Sequence, residues 1–239
     1  MGVDLYVFNF LLAFAEANLG DALCLGRQGL HISQQNGQWD AAQAILERHD
    51  PGRALGTLVS QDGFAETFLR YIGCRTVLSM DYSPFEGAEI IYDLNKPVPK
   101  GLWGRFDVII DSGTLEHIFN LPIAFQSIKR MLRPGGLFLS INAANNQLGH
   151  GFYQFSPELF WRVFAPETGF AIEKMQLVPM SGSPAPINLH DPAGHRQQME
   201  PNQTATYIMA AARRVGTALV EPTGYYQSDY AAGWKAHQA

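Results

Sequence analysis

Short apolar runs alternate along the chain with longer segments whose apolar positions recur every three or four residues. Glycine, proline or aspartate marks most of the switches. The runs at 22–25, 75–80, 89–92, 106–110 and 137–141 predict strands, and 170–177 and 205–211 predict two more. Helices are predicted over 5–18, 39–49, 64–71 and 118–132. The first is closed by Asn18 and Gly20, the second by the Asp50-Pro51-Gly52 turn, and the last by Pro134-Gly135-Gly136. Strands alternating with helices point to an α/β fold with a mostly parallel sheet of seven strands. The chain divides into an N-terminal helix (1–20), a main domain (21–213) and a C-terminal tail (214–239). Within the main domain, an insertion near the site is expected at about 31–60, and a variable segment at about 180–203.

Composition narrows the class. The 239 residues are 46% apolar, enough to bury roughly 70% or more of the unfolded surface without a staple. The formal net charge of −5 argues against a nucleic-acid partner held by bulk charge. Cys24 and Cys74 sit in or beside apolar runs and read as small buried hydrophobes. Val7 to Ala15 is apolar, but Asp4 and no basic residue precedes it, so a signal peptide is not expected. The stretch is also shorter than the roughly 20 residues that span a bilayer. Tyr6 stands where a myristoylation signal needs Ser or Thr. A cytoplasmic protein with no membrane partner is the expectation.

Three successive predicted strands end in an acid: Asp81, Asp93 and Asp111. Ligands of open parallel sheets bind beyond the carboxyl ends of the strands, so these acids can face one crevice. An acid after the second strand suits a ribose, because a carboxylate accepts from both vicinal hydroxyls. Each such bond is worth roughly 1.5–3 kcal/mol. Asp81 holds that place.

The run Phe106-Asp-Val-Ile-Ile-Asp-Ser-Gly-Thr-Leu-Glu-His-Ile118 resembles the fourth-strand motif of class I S-adenosylmethionine-dependent methyltransferases. Arg130-Met-Leu-Arg-Pro-Gly-Gly-Leu-Phe-Leu139 resembles the helix and fifth strand of the same family. The resemblance implies a doubly wound sheet with helices on both faces and S-adenosylmethionine as cofactor. Tyr82 follows Asp81 at the expected second strand end, and Asp93-Leu94 would lie along the adenine, the acid accepting from the exocyclic amine and the leucine packing on the ring. Asp111, Ser112, Gly113 and His117 fall on the cofactor side of the fourth strand. The first glycine loop departs from the family pattern. It reads Gly26-Arg27-Gln28-Gly29 where an acid and three spaced glycines are usual. Arg27 or Gln28 is expected to contact the methionine carboxylate.

After the fifth strand, Asn142 to Pro157 is polar, aromatic and glycine-flanked, as a small-molecule site would be. His150, between Gly149 and Gly151, is the candidate general base or acceptor-orienting group. Ser156-Pro157-Glu158 reads as a helix N-cap. His190, Asp191 and His195 match no metal-ligand spacing, and no metal is expected. The function so read is methyl transfer to a small-molecule or glycan-type acceptor. The alternatives are a non-catalytic module that kept the fold, and a nicotinamide-dependent oxidoreductase, which the missing GxGxxG after strand one disfavours.

Overall fold

The computed structural model describes all residues except 1, 36, 183, 193, 197, 201, 218, 221 and 239. In chain order the elements are β1 (Gly2–Val3), α1 (Leu5–Leu12), β2 (Gly20–Leu25), β3 (Gly29–Leu30), α2 (Gln38–His49), α3 (Glu66–Tyr71), β4 (Cys74–Asp81), β5 (Ile90–Ile91), β6 (Phe106–Ser112), α4 (Leu121–Met131), β7 (Leu132–Asn145), α5 (Pro157–Val163), β8 (Phe170–Pro179), β9 (Ile187–Asn188), β10 (Thr206–Arg214) and α6 (Ser228–Gln238).

The main sheet runs β5-β4-β2-β6-β7-β10-β8-β9, and a small parallel pair joins β1 to β3. From β5 to β7 all neighbours are parallel, whereas β10 is antiparallel to both β7 and β8. The sheet therefore has eight strands where seven were expected. The extra one is β9, two residues paired antiparallel to β8, too short to show as an apolar run.

Alternation within the strands explains the two layers of helices. Ala22, Cys24, Val108, Ile110, Leu137, Leu139, Met209 and Ala211 pack into one core with α1, α2 and α3. Leu23, Leu25, Ile109, Phe138, Ile208, Ala210 and Ala212 pack into the other with α4 and α5. Helix α1 starts where the Asp4 carboxylate accepts from the Tyr6 and Val7 amides at 2.9 Å. It stops at Leu12, short of the expected residue 18. Ser156 caps α5 as expected, accepting from the Glu158 amide.

Of the expected 31–60 insertion, His31 lines a cavity at the carboxyl ends of the parallel strands, whereas residues 39–56 line none there. Helix α2 buries Ala42, Ile45 and Leu46 in the core formed with α1. Among the described residues, no helix is long and apolar enough to cross a membrane.

Candidate active site

Two cavities open at the carboxyl ends of the parallel strands. The first, about 280 Å³, is lined by Gly26, Met80, Asp81, Tyr82, Tyr92, Asp93, Leu94, Asn95, Thr114, His117 and Ile118. The second, about 320 Å³, is lined by Gly2, Asp4, His31, Ser112, Gly113, Glu116, His117, Ile141, His150 and Tyr207. His117 belongs to both. Each is near the lower end of small-molecule pockets, roughly 300–1,000 Å³. Larger hollows of about 450 and 380 Å³ lie beside β8 and under α6. They are away from the strand ends where α/β sheets bind ligands, so size alone does not select them.

In the first cavity, Asp81 ends β4 and Asp93 follows β5. The two strands are pinned side by side by the Tyr92 amide, which donates to the Asp81 carbonyl at 2.8 Å. One oxygen of Asp81 accepts from the Ser83 amide at 3.3 Å; the other has no partner among the described residues. A carboxylate with a spare oxygen and no cation suits a diol. Asp93 accepts from the Asn95 amide and side chain at 3.0 Å and pairs with Lys96 at 3.3 Å. The Asn95 bonds first, then Lys96, hold its pKa below the usual carboxylate value. Leu94 is buried beside it. Gly26 has φ +72°, a left-handed turn that glycine adopts without strain. The exposed Tyr82 completes the mouth.

Asp111 does not face the cofactor side as expected. It is fully buried, one oxygen accepting from the Thr114 and Leu115 amides at 3.0 and 3.3 Å and the other from Ser140 and Asn142 at 3.1 and 2.7 Å. Burial raises its pKa to about 6 against the pull of these donors. Its bonds to the Thr114 and Leu115 amides tie down the 3₁₀ turn Leu115–His117, which carries Glu116 and His117.

The first loop also differs from expectation. Arg27 lies over the Phe64 ring at 3.6 Å and bonds Glu66 at 2.7 Å, Asp62 at 2.9 Å and the Glu86 carbonyl at 3.0 Å. Two acids thus engage its guanidinium from outside the cavities. Gln28 is 2% exposed and donates back to the Leu25 and Gly26 carbonyls. Gly29 pairs with Gly2 across the small sheet. None of the three lines either cavity. Ser112 and Gly113 line the second cavity instead of the first, and Ser112 donates to the Gly2 carbonyl at 2.9 Å.

The second cavity gathers titratable groups. Glu116, 1% exposed, has Oε1 3.5 Å from His150 Nε2, while its Oε2 is buried without a hydrogen-bond partner among the described residues. Burial first, and the nearby Asp111 second, raise its pKa to about 8. Burial lowers that of His117, with His150 adding to it. The His117 and His150 rings are 5.3 Å apart. The loop carrying His150 crosses tightly over Glu116. Phe152 donates its amide to the Glu116 carbonyl at 2.7 Å, and a Cβ at Gly151 would sit 2.7 Å from that same oxygen. Tyr207 donates to Asp4 at 3.1 Å, and burial raises the pKa of both.

Sequence reasoning missed Tyr92, Asn95 and Thr114 in the first cavity, and Gly2, Asp4, His31 and Tyr207 in the second. The last four come from the two ends of the fold, where no motif marks them. His190 and Asp191 line the hollow beside β8, where Asp191 pairs with Arg162, and His195 lines a different hollow.

The family described as methyltransferase domain matches residues 31–206. The polyketide methyltransferase ustM of Ustilaginoidea virens is 28% identical over 99 residues, which are 41% of this chain and 21% of that protein. The chain thus aligns with a minor part of this curated relative. The Burkholderia thailandensis 1,6-didemethyltoxoflavin-N1-methyltransferase, solved with 1,6-didemethyltoxoflavin and S-adenosylhomocysteine, superposes with a TM-score of 0.51. It is 14% identical, over 89% of this chain and 78% of that one, which establishes likeness of fold. The N-methyltransferase NodS of Bradyrhizobium japonicum, solved with S-adenosylhomocysteine, gives a TM-score of 0.44 at 13% identity, over 87% and 85% of the two chains.

Proposed function

The chain belongs to the methyltransferase-domain family, whose class I members use S-adenosylmethionine, and on that premise we propose that it methylates a small-molecule acceptor held in the second cavity. The observation that carries the reading is the pairing of two cavities across His117, one fitted to a nucleoside and one to a polar acceptor. S-adenosylmethionine supplies a methyl group already activated on a sulfonium, so the protein's task is mainly alignment. Alignment is worth roughly 7–11 kcal/mol of barrier in favourable cases.

Asp81 is assigned to the ribose hydroxyls, through its spare oxygen. Asp93 and Leu94 are assigned to the adenine edge and face. Gly26, Tyr82, Tyr92 and Asn95 complete that wall. His150 is assigned to the acceptor as its orienting group, on the far side of His117. The named activities of the polyketide and toxoflavin-precursor enzymes support a small, functionalised acceptor.

A module that binds the nucleoside without transfer is the second reading. Its support is the first loop, where Arg27 is engaged by Glu66 and Asp62. Calorimetric titration with S-adenosylhomocysteine tests the common part. The wild type is expected to bind it and Asp81→Asn to bind it far more weakly; equal affinities would remove Asp81 from the site. Production of S-adenosylhomocysteine from S-adenosylmethionine over a panel of small acceptors then separates enzyme from module.

A further inference from the structure

The second cavity holds one group of side chains with the composition and spacing of a metal-binding triad. Donor atoms of Glu116, His117 and His150 all lie within 4.8 Å of one another. We propose that these three residues bind one divalent first-row metal ion of the zinc class, and that the ion in turn holds an oxygen of the acceptor. The proposal rests on the acceptor reading above and deepens it.

Three observations support it. The first is the donor set. Two imidazoles and one carboxylate suit zinc and its neighbours, and three protein ligands leave positions open for an incoming molecule. The second is the unpartnered buried oxygen. Glu116 is 1% exposed, and its Oε2 has no hydrogen bond among the described residues. Buried polar atoms are nearly always satisfied, so an orphan on a carboxylate beside two imidazoles calls for a cationic partner. The third is preorganisation. Asp111 anchors the turn carrying Glu116 and His117 through the Thr114 and Leu115 amides. The His150 loop is tied to the same residue through the Phe152 and Tyr153 amides, which donate to the Glu116 carbonyl at 2.7 and 3.3 Å. Elements following β6 and β7 thus hold the ligands before any ion arrives, which lowers the cost of ordering them.

The three residues share their cavity with Ser112, Gly113 and Ile141. An acceptor with a hydroxyl or enol oxygen would reach the ion there. With the ion in place, His150 serves as a ligand and the bound oxygen sheds its proton to solvent, since a divalent cation lowers the pKa of an oxygen it binds. That oxygen's electron pair then forms the bond to the methyl carbon, and the carbon–sulfur bond breaks with its electrons left on sulfur.

The test uses the full chain freed of metal with a chelator. Zn²⁺ is titrated by calorimetry, and Co²⁺ by its visible absorption, which reports nitrogen and oxygen ligation. The expected result is one equivalent bound, weakened at least tenfold by Glu116→Gln and by His150→Ala, and unchanged by His190→Ala. Glu116→Gln keeps the shape of the buried side chain, and His150 is 50% exposed, so at least one variant retains the fold, which circular dichroism verifies. No stoichiometric binding, or binding indifferent to both variants, would overturn the proposal. S-adenosylhomocysteine affinity measured on the same samples separates the two readings. Metal binding without nucleoside binding would sink the methyl-transfer reading and leave the metal site standing.

Discussion

The two edges of the parallel sheet treat their charges in opposite ways. At the amino edge, Asp21 and Asp107 converge on Arg133 at 3.2 and 2.6 Å, Arg75 reaches Asp21 at 2.8 Å, and the Asp21 amide donates to Asp107. Arg75 and Thr76 chiefly hold the Asp21 carboxyl down at about 2. At the carboxyl edge, Asp81 and Glu116 have no Lys or Arg partner among the described residues, each keeps an oxygen without a hydrogen bond, and burial pushes Glu116 up. Charges at the first edge are matched within the fold. At the second, Asp93 is matched by Lys96 and Asn95, whereas Asp81 and Glu116 are left for something that arrives. Perturbed and unpaired acids gathered in a cleft are a physical signature of a functional site.

The contrast can be broken by exchanging the expected losses. Asp81→Ala should cost S-adenosylhomocysteine affinity about 100-fold, the worth of two charge-assisted bonds of roughly 1.5 kcal/mol each, while thermal unfolding stays where it was. Asp107→Ala should do the reverse. Removing the acceptor of the Asp21 amide and the partner of Arg133 should lower stability by about 1–2 kcal/mol in chemical denaturation and leave affinity unchanged. If either variant lost both properties equally, the division of labour between the edges would be wrong.

A subtler difference separates Asp111 from the ion-paired acids. Its folded pKa lies above the ordinary 3.8, at about 6, because burial outweighs its four donors. Between about pH 4 and pH 6 the native state therefore keeps a proton that the unfolded chain has lost. Stability should fall as pH rises through that window, and the cost is complete above it. Asp111→Asn should flatten that part of the pH–stability curve, as urea denaturation at several pH values would show. Asp21 behaves oppositely, contributing stability that disappears as pH falls from about 4 towards 2. The smallest expected effect is that of Arg133→Ala. The arginine is 38% exposed, so its removal should cost about 1 kcal/mol or less in the same denaturation experiment.

Much of the fold was legible because strand tips, helix stops and the Pro134-Gly135-Gly136 reversal carry local signals. Asp81, Asp93 and Leu94 fell in one cavity because their strands are adjacent in both chain and space. Asp111 shows the limit. Chain position puts it at a strand end, but its depth is set by Ser140 and Asn142 on the neighbouring strand, a matter of register. Arg27 shows another, since its partners Asp62 and Glu66 reach it only through tertiary packing. Glu116 lies within the run 106–118 that resembles the fourth-strand motif, but nothing in that run singles it out. Its meeting with His150 depends on how the loop after β7 folds back, and the glycines flanking that histidine were the available hint.

The most direct test of the two-cavity account is a crystal structure with S-adenosylhomocysteine bound. The account predicts the ribose on Asp81, the adenine between Asp93 and Leu94, and the sulfur beside His117, pointing towards His150. A nucleoside in the hollow beside β8, or one that leaves Asp81 untouched, would contradict it.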